Sequence, residues 1–399
     1  MYNARVMEFS SLKEAKKELK NIGAYSKGAG IMAPKAVHRL LRLENVGIKE
    51  ALIVKQEMLS VGGEASVAKG IGDLSQHETD VLLMGTQKQL KQAVGKLSIQ
   101  PFKCPKIAEE IVEALDNYTK DTFTLKAADR KLRIDRPFVM GVVNVTPDSF
   151  SDGGEFLDAE AAIAQAMKLE RDGADIIDIG GESSRPGSKT LPAREELERI
   201  VPVIEGIVDC VKIPISVDTC KPGVARKVLD MGAHMINDIA GLKNSKMTSL
   251  LAESGAGVVV MHMQETPKTM QKNPTYDDVV ADITRFLRET VERAVRKGID
   301  RDSIIIDPGL GFGKTVDHNL EIVSRLKEFR SLGLPVLVGA SRKSFIGKIL
   351  DRDVDERLSG SLAMLSMCIQ NGARVVRVHD VKESVDVVRM TWAALQATV

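Results

Sequence analysis

From about Pro137 onward, short apolar runs alternate with longer stretches in which apolar residues recur every three or four positions. The short runs have the length of buried strands, and the longer stretches have the period of amphipathic helices. This alternation predicts βα units around a parallel sheet. The runs that fit the strand pattern are 138–145, 175–179, 213–217, 234–237, 257–261, 303–306, 335–338 and 374–378.

Eight strand–helix repeats favour a TIM barrel, because an open doubly wound sheet more often stops at about five or six strands. The predicted fold is α/β: a TIM (β/α)8 barrel over 121–399 with an additional small N-terminal α/β domain over 1–120. Polar and apolar residues alternate over 122–134. We expect this segment to be a hairpin that closes the lower end of the barrel.

The smaller domain carries its own start signals for helices. Ser11 with Glu14 three residues later predicts one helix N-terminus, and Thr86 with Gln89 predicts another after a strand over 80–84. No motif in this domain points to chemistry, so its function is left open.

Composition narrows the function classes. The chain has 56 Lys+Arg against 55 Asp+Glu, a formal charge of +1, so it lacks the positive field of a nucleic-acid or anionic-membrane binder. No apolar run approaches the roughly 20 residues of a membrane span. The four cysteines show no metal-type spacing. We expect a cytoplasmic protein without disulfides, without nucleic-acid or membrane partners, that binds small molecules.

Polar side chains follow every predicted strand, at the end where a TIM barrel carries its active site. In strand order they are Asn144; Glu182, Ser184 and Arg185; Asp218; Asn237; His262; Asp307; Ser341, Arg342 and Lys343; and Arg377 with His379. A single Asp after a strand is most often a turn or helix cap. Eight such positions at one edge favour a functional site.

The set divides by chemistry into two groups. A cationic and amide group suits a polyanion such as a diphosphate, because guanidinium forks match phosphate oxygens. Its members are Asn144, Arg185, Lys343, Arg377 and His379. Asp218, Asn237 and Asp307 can instead accept hydrogen bonds from the N–H groups of a flat heterocycle. Together they predict a heterocyclic substrate that carries a diphosphate.

Two other site types are disfavoured by spacing. The glycine-rich stretch 307–314 has Pro308 where a P-loop needs glycine, so the glycines are interpreted as a tight turn covered by Phe312. The six histidines form no HExxH motif, which argues against zinc. If a metal acts, a diphosphate-bound Mg²⁺ with few protein ligands is the expected form.

Ordered motifs run through residues 121–399: NVTPDSFSDGG, GGESSRPGS, SVDT, IND, MHMQ, DPGLGFGK, GASRKSFIG and RVHDV. Together they resemble those of the dihydropteroate synthases, which join a pterin to an aminobenzoate. The resemblance implies condensation of 6-hydroxymethyl-7,8-dihydropterin diphosphate with p-aminobenzoate to 7,8-dihydropteroate and pyrophosphate, with Mg²⁺ as cofactor and a homodimer.

The resemblance also implies roles for residues. The pterin would contact Asp218, Asn237, Asp307 and Lys343, and the diphosphate would contact Asn144, Arg185, Arg377 and His379, with Asn144 also the metal ligand. The aminobenzoate would contact Phe150, Ser184, Arg185, Pro186, Phe312 and Ser344. The catalytic set would be Asn144, Arg185, Lys343, Arg377 and His379.

One departure and three alternatives stay open. Position 184 is Ser where the family commonly has Thr, which loosens the predicted amine pocket. A ribosylated aminobenzene phosphate, as in methanopterin synthesis, is therefore an alternative amine. The other two alternatives are methyl transfer from a methylated pterin to a corrinoid protein and a pterin-binding protein without turnover.

Overall fold

A computed structural model describes residues 2–71, 75–145, 155–183, 188 and 190–397. The chain divides into two compact units, one of residues Met1–Thr119 with Gln396–Val399 and the other of residues Lys120–Leu395. No helix among the described residues is both long enough and apolar enough to cross a membrane.

The first unit contains a three-stranded antiparallel sheet in the order β1-β3-β2, and its helices. The strands are β1 (His38–Gly47), β2 (Glu64–Val67) and β3 (Glu78–Thr86). The helices are α1 (Leu12–Asn21), α2 (Ser26–Ala36), α3 (Ile48–Ser60), α4 (Gln87–Leu97) and α5 (Cys104–Thr119). Both predicted helix starts are confirmed: the side chain of Ser11 caps α1, and Thr86 with Gln89 forms a capping box on α4.

The second unit is the predicted barrel. A hairpin, β4 (Phe123–Ala127) and β5 (Arg130–Ile134), precedes eight parallel strands. These are β6 (Phe138–Asn144), β7 (Ile176–Gly180), β8 (Ile215–Asp218), β9 (Met235–Asp238), β10 (Gly257–Met261), β11 (Ile304–Asp307), β12 (Leu337–Val338) and β13 (Val375–Val378). The helices are α6 (Glu155–Arg171), α7 (Ala193–Ile207), α8 (Pro222–Asp230), α9 (Ser245–Ser254), α10 (Val279–Arg296), α11 (Val316–Ser324), α12 (Ser344–Leu350), α13 (Leu358–Gln370) and α14 (Val381–Ala397).

The strands follow the order β11-β10-β9-β8-β7-β6-β13-β12, and a parallel bridge between Ile306 and Val336 joins the two ends. The seventh strand is shorter than predicted. Pro335 has no N–H to donate, and only its carbonyl oxygen joins the ladder, accepting from Ile306 N at 3.0 Å.

The predicted hairpin is confirmed at the amino-terminal end of the barrel strands. Its buried side chains share one apolar cluster with the first residues of the strands; the cluster comprises Phe123, Leu125, Ala127, Ile134, Phe138, Met140, Ile176, Met235, Val259, Ile305, Leu337 and Val375. This closed floor leaves the opposite, carboxyl end of the strands as the open mouth.

Candidate active site

Four neighbouring strands place one residue each in a single row at the mouth. Asn144 of β6 pairs with Gly180 of β7, Gly180 pairs with Asp218 of β8, and Asp218 pairs with Asn237 of β9. A Cβ at position 180 would lie 3.8 Å from Asn144 Oδ1 and 3.6 Å from Asp218 Cβ. Glycine at this position therefore leaves open space between the two polar side chains.

Arg377 of β13 reaches into this row and connects two carboxylates. Its Nε donates to Asp178 Oδ2 at 2.7 Å, and its Nη2 donates to Asp218 Oδ2 at 2.9 Å. Asn237 Nδ2 also donates to Asp178 Oδ2, at 3.1 Å. The structure thus brings three predicted site residues together around Asp178.

Sequence reasoning missed Asp178, because it lies inside an apolar run of β7 and not after it. Its side chain is fully buried, and its Oδ1 atom has no hydrogen-bond partner among the residues that the structure describes. The available signal was a lone carboxylate in a strand whose other residues are apolar or glycine.

Both predicted acceptor carboxylates have raised pKa values. Burial raises the pKa of Asp218 although Arg377 and Lys343 oppose the shift, and burial raises the pKa of Asp307 to about 6. Asp307 Oδ1 accepts one hydrogen bond, from Gly309 N at 2.7 Å. Such carboxyl groups, short of donors, are suited to accept N–H groups from a bound heterocycle.

Lys343 lies between the acceptor carboxylates and Phe312. Its Nζ is 4.2 Å from the centroid of the Phe312 ring, within the range of a cation–π interaction. Burial and the nearby Arg377 lower the pKa of Lys343 to about 8, while Asp307 and Asp218 oppose the shift. The ammonium therefore adjoins both the predicted pterin pocket and the predicted amine pocket.

His379 differs from the cation that the sequence analysis expected. Burial, with Arg377 and Arg342 nearby, lowers its pKa to about 4, so the ring is neutral near pH 7. Its Nδ1 lies 3.0 Å from Ser341 Oγ. A ring whose Nδ1 accepts from Ser341 carries its proton on Nε2, where it could donate to a phosphate oxygen.

The stretch 307–314 is a tight turn, as interpreted from its glycines. Gly309, Gly311 and Gly313 all have positive φ, and a Cβ at position 309 would lie 2.0 Å from the carbonyl oxygen of His262. No other residue fits there. Phe312, at the tip, is buried against a methionine cluster.

His262 lies beneath that turn and not at the mouth. Its ring is buried, 5.0 Å from the Phe286 ring in edge contact, and burial beside Lys314 lowers its pKa to about 2. Lys314 Nζ lies 3.1 Å from His262 Nδ1 and donates to Phe312 O at 2.9 Å. His262 thus directly follows the fifth strand, as predicted, and its ring packs beside Phe286 and Lys314.

A second unpredicted cluster joins β7, α7 and the turn after β8. Lys221 Nζ donates to both Glu182 Oε2 and Glu196 Oε2, and Glu196 is fully buried. Glu182 Oε1 also accepts from Leu191 N at 3.1 Å. Glu182 thus ties the start of the β7–α7 connection to its end.

Four predicted site residues, Phe150, Ser184, Arg185 and Pro186, lie outside the described residues. Ser344 is exposed and begins α12 directly after Lys343. Among the residues that the structure describes, no three His, Cys, Asp or Glu side chains come together as metal ligands.

The barrel fold agrees with the relatives of the chain. The family described as "Pterin binding enzyme" matches residues 140–379. The dihydropteroate synthase of Escherichia coli K12 is 47% identical over 273 residues, which are 68% of this chain and 97% of that protein. The chain therefore belongs to the pterin binding enzymes and, among them, to the dihydropteroate synthases.

Solved structures agree. The Xanthomonas albilineans dihydropteroate synthase in complex with 7,8-dihydropteroate is 44% identical, with a TM-score of 0.62 over 69% of this chain and 99% of that one. The same enzyme with 4-aminobenzoic acid has a TM-score of 0.65 at 45% identity and the same coverage.

The first unit also has relatives. A probable bifunctional folylpolyglutamate synthase/dihydropteroate synthase of Halobacterium salinarum is 40% identical over 390 residues. The match covers 97% of this chain but 46% of that protein. Because the barrel alone cannot supply such coverage, the alignment includes most of residues 1–120.

Proposed function

We propose that the protein condenses 6-hydroxymethyl-7,8-dihydropterin diphosphate with p-aminobenzoate, giving 7,8-dihydropteroate and pyrophosphate in folate biosynthesis. The arrangement that supports this most is Arg377 between Asp178 and Asp218, beside Asn237. This arrangement places hydrogen-bond acceptors for a flat ring beside the Arg377 cation at the mouth of the barrel. A relative solved with 7,8-dihydropteroate supports the same product.

The site residues are assigned from the motifs that the chain shares with the dihydropteroate synthases. The pterin is held by Asp218, Asn237, Asp307 and Lys343. The diphosphate is held by Asn144, Arg185, Arg377 and His379. The aminobenzoate is held by Phe150, Ser184, Arg185, Pro186, Phe312 and Ser344. The neutral ring of His379 enters this scheme as a hydrogen-bond donor, and the positive charge comes from the arginines and Lys343.

The chemistry needs no nucleophilic side chain. The bond from the exocyclic methylene to the diphosphate breaks, and the dihydropterin ring supports the positive charge that remains on that methylene. Arg377 and Lys343 stabilise the negative charge that gathers on the leaving group. The arylamine, unprotonated at neutral pH, then forms the new C–N bond and releases one proton from its nitrogen to solvent. Positioning and electrostatics are the main catalytic contributions.

Mg²⁺ fits this site in one form. The amide oxygen of Asn144 is a suitable ligand, and the described residues provide no cluster of carboxylates for a metal cage. We propose that Asn144 would hold the ion beside the bound diphosphate. When bound, the ion offsets charge on the diphosphate.

The decisive experiment incubates the whole protein with the dihydropterin diphosphate, Mg²⁺ and p-aminobenzoate, and measures pyrophosphate and dihydropteroate. Formation of both in equal amounts is expected. Pterin binding without turnover would favour the binding-protein alternative, and transfer of a methyl group from a methylated pterin to a corrinoid protein would favour the methyltransferase. Competition between p-aminobenzoate and a ribosylated aminobenzene phosphate decides the amine.

Three further proposals accompany the reaction. The barrel of residues 121–399 is the catalytic domain, and residues 1–120 are an accessory domain. The protein is a homodimer. It works in the cytoplasm. Light scattering on the purified protein tests the second of these.

A further inference from the structure

Arg342 has a backbone conformation that is unusual for its residue type. It lies at the turn from β12 into α12, between Ser341 and Lys343, and its φ is +55°. Left-handed backbone is disfavoured for a residue with a Cβ and persists where the surroundings hold it. The turn that carries Lys343 into the site is therefore held by contacts.

The contacts involve both the backbone and the guanidinium of Arg342. Its N–H donates to Ser361 Oγ at 2.9 Å, and its carbonyl oxygen accepts from Arg357 Nη1 at 3.2 Å. Its guanidinium forms a two-point pair with Asp380, with Nη2 at 2.6 Å from Oδ1 and Nε at 3.0 Å from Oδ2. Ser361 belongs to α13, and Asp380 directly follows His379.

The sequence leaves space for this arrangement at position 347. A Cβ there would lie 2.3 Å from Arg357 Nε and 2.5 Å from Arg357 Cζ. Any larger residue at position 347 would displace the Arg357 side chain and remove its hydrogen bond to the Arg342 carbonyl oxygen. Gly347 is thus explained by the Arg357 side chain beside it.

The Arg342–Asp380 pair also links the ends of β12 and β13, the two strands that carry the cationic side chains of the site. Arg342 is adjacent in the chain to Lys343, and Asp380 is adjacent to His379 and close to Arg377. Ser341, on the other side of Arg342, contacts the His379 ring. A two-point guanidinium–carboxylate pair fixes orientation as well as distance.

We propose that Arg342 is a positioning residue. Its pair with Asp380 fixes the position of Lys343 relative to Arg377 and His379, so that all three side chains can contact the same substrate molecule. The proposal rests on the proposed function, because it concerns the same substrate. Arg342 acts through its neighbours and does not contact the diphosphate.

The test compares Arg342→Gly, Asp380→Asn and Gly347→Ala in steady-state kinetics with the dihydropterin diphosphate. Arg342→Gly accepts the left-handed backbone but lacks the pair. Asp380→Asn keeps the arginine but loses the ionic partner. Each of these two should lower kcat/KM by about tenfold, because a small displacement of aligned groups slows the reaction. Gly347→Ala should give a smaller loss in the same direction.

Arg136→Ala is the matched control, because Arg136 makes a similar two-point pair with Asp175, at 2.6 and 3.0 Å, beside the floor hairpin. It should cost similar thermal stability and leave kcat/KM unchanged. Loss of activity in Arg342→Gly with normal kinetics in Asp380→Asn would overturn the proposal in favour of direct diphosphate contact. Normal kinetics in both variants would overturn it as well. An inactive wild-type protein would instead refute the proposed function.

Discussion

Arg377 Nε donates to Asp178 Oδ2 at 2.7 Å, inside the barrel and below the row of predicted substrate ligands. Asp178 is fully buried, whereas about a fifth of the Arg377 side chain is exposed, at 21%. The carboxylate thus holds the guanidinium from beneath and leaves its upper part accessible. A buried pair of this kind contributes orientation more than stability.

Replacing Asp178 with Asn should therefore weaken both folding and pterin binding. The charge-assisted bond from Arg377 is lost, so the free energy of unfolding should fall by about 2 kcal/mol. Urea unfolding and calorimetric titration with a pterin measure the two effects. Asp175→Asn is the control, because Asp175 pairs with Arg136 away from the mouth. It should lower stability alone, and an Asp178 variant with native pterin affinity would contradict the assignment.

The pKa of Asp307 makes a prediction about pH and stability. Burial raises that pKa to about 6, above the value of about 3.9 for an unfolded aspartate. The folded state then binds the proton more tightly, so this contribution to stability is complete below about pH 4 and is lost as the pH rises through 6. Asp307→Asn should flatten the dependence of the unfolding free energy on pH between 4 and 6.

Urea unfolding at several pH values measures this slope. Asp135→Asn serves as the control, because Asp135 is about half exposed, at 53%. That variant should keep the wild-type slope. If the unfolding free energy of Asp307→Asn depends on pH as steeply as that of the wild type, the Asp307 carboxyl group is not the source of the pH dependence.

The lowered pKa of Lys343 leads to a prediction about how activity depends on pH above neutrality. Its pKa is lowered to about 8, and the role proposed for it needs the protonated form. Activity should therefore fall as the pH rises through 8. Lys343→Arg stays charged to above about pH 12 and should abolish this fall even if its activity is lower. Lys343→Met should lose about 100-fold at neutral pH, and its difference from the wild type should shrink above pH 8.

The measurement is kcat/KM for the dihydropterin diphosphate from pH 6 to 10. Persistence of the alkaline fall in Lys343→Arg would assign it to another group.

The hairpin of β4 and β5 predicts where the chain tolerates truncation. Residues 120–399 retain this floor and should fold, whereas residues 135–399 lack it and expose the barrel interior. The hairpin buries Phe123, Leu125 and Ile134, each worth about 2 kcal/mol. Circular dichroism melts of the two fragments give the comparison; a cooperative transition in the shorter one would contradict the role of the hairpin.

Much of the fold could be predicted because it depends on local patterns. The strand over 257–261 appears at the predicted bounds, and other strands shift by only one or two residues. The site could be predicted in outline because parallel strands bring their carboxyl ends to one edge. Asp218 and Arg377 therefore share the mouth, as their positions after or within predicted strands indicate.

The hydrogen-bond partners and protonation states of the site side chains could not be predicted from the sequence. Asp178 lies in an apolar run, and no local pattern shows that Arg377, about 200 positions away, reaches it. His379 is neutral because it is buried near two arginines, Arg377 in β13 and Arg342 in the turn after β12. The hydrogen bond from Lys221 to Glu196 forms only when two βα units pack side by side.

Eight βα units with reactive residues at the strand ends could be predicted from the chain alone, because both depend on spacing along it. Which of those residues pair, which are buried and which protonation state each adopts depends on the folded barrel. Hydrogen bonds and desolvation depend on distances of a few ångströms between segments, and closure of the barrel sets those distances.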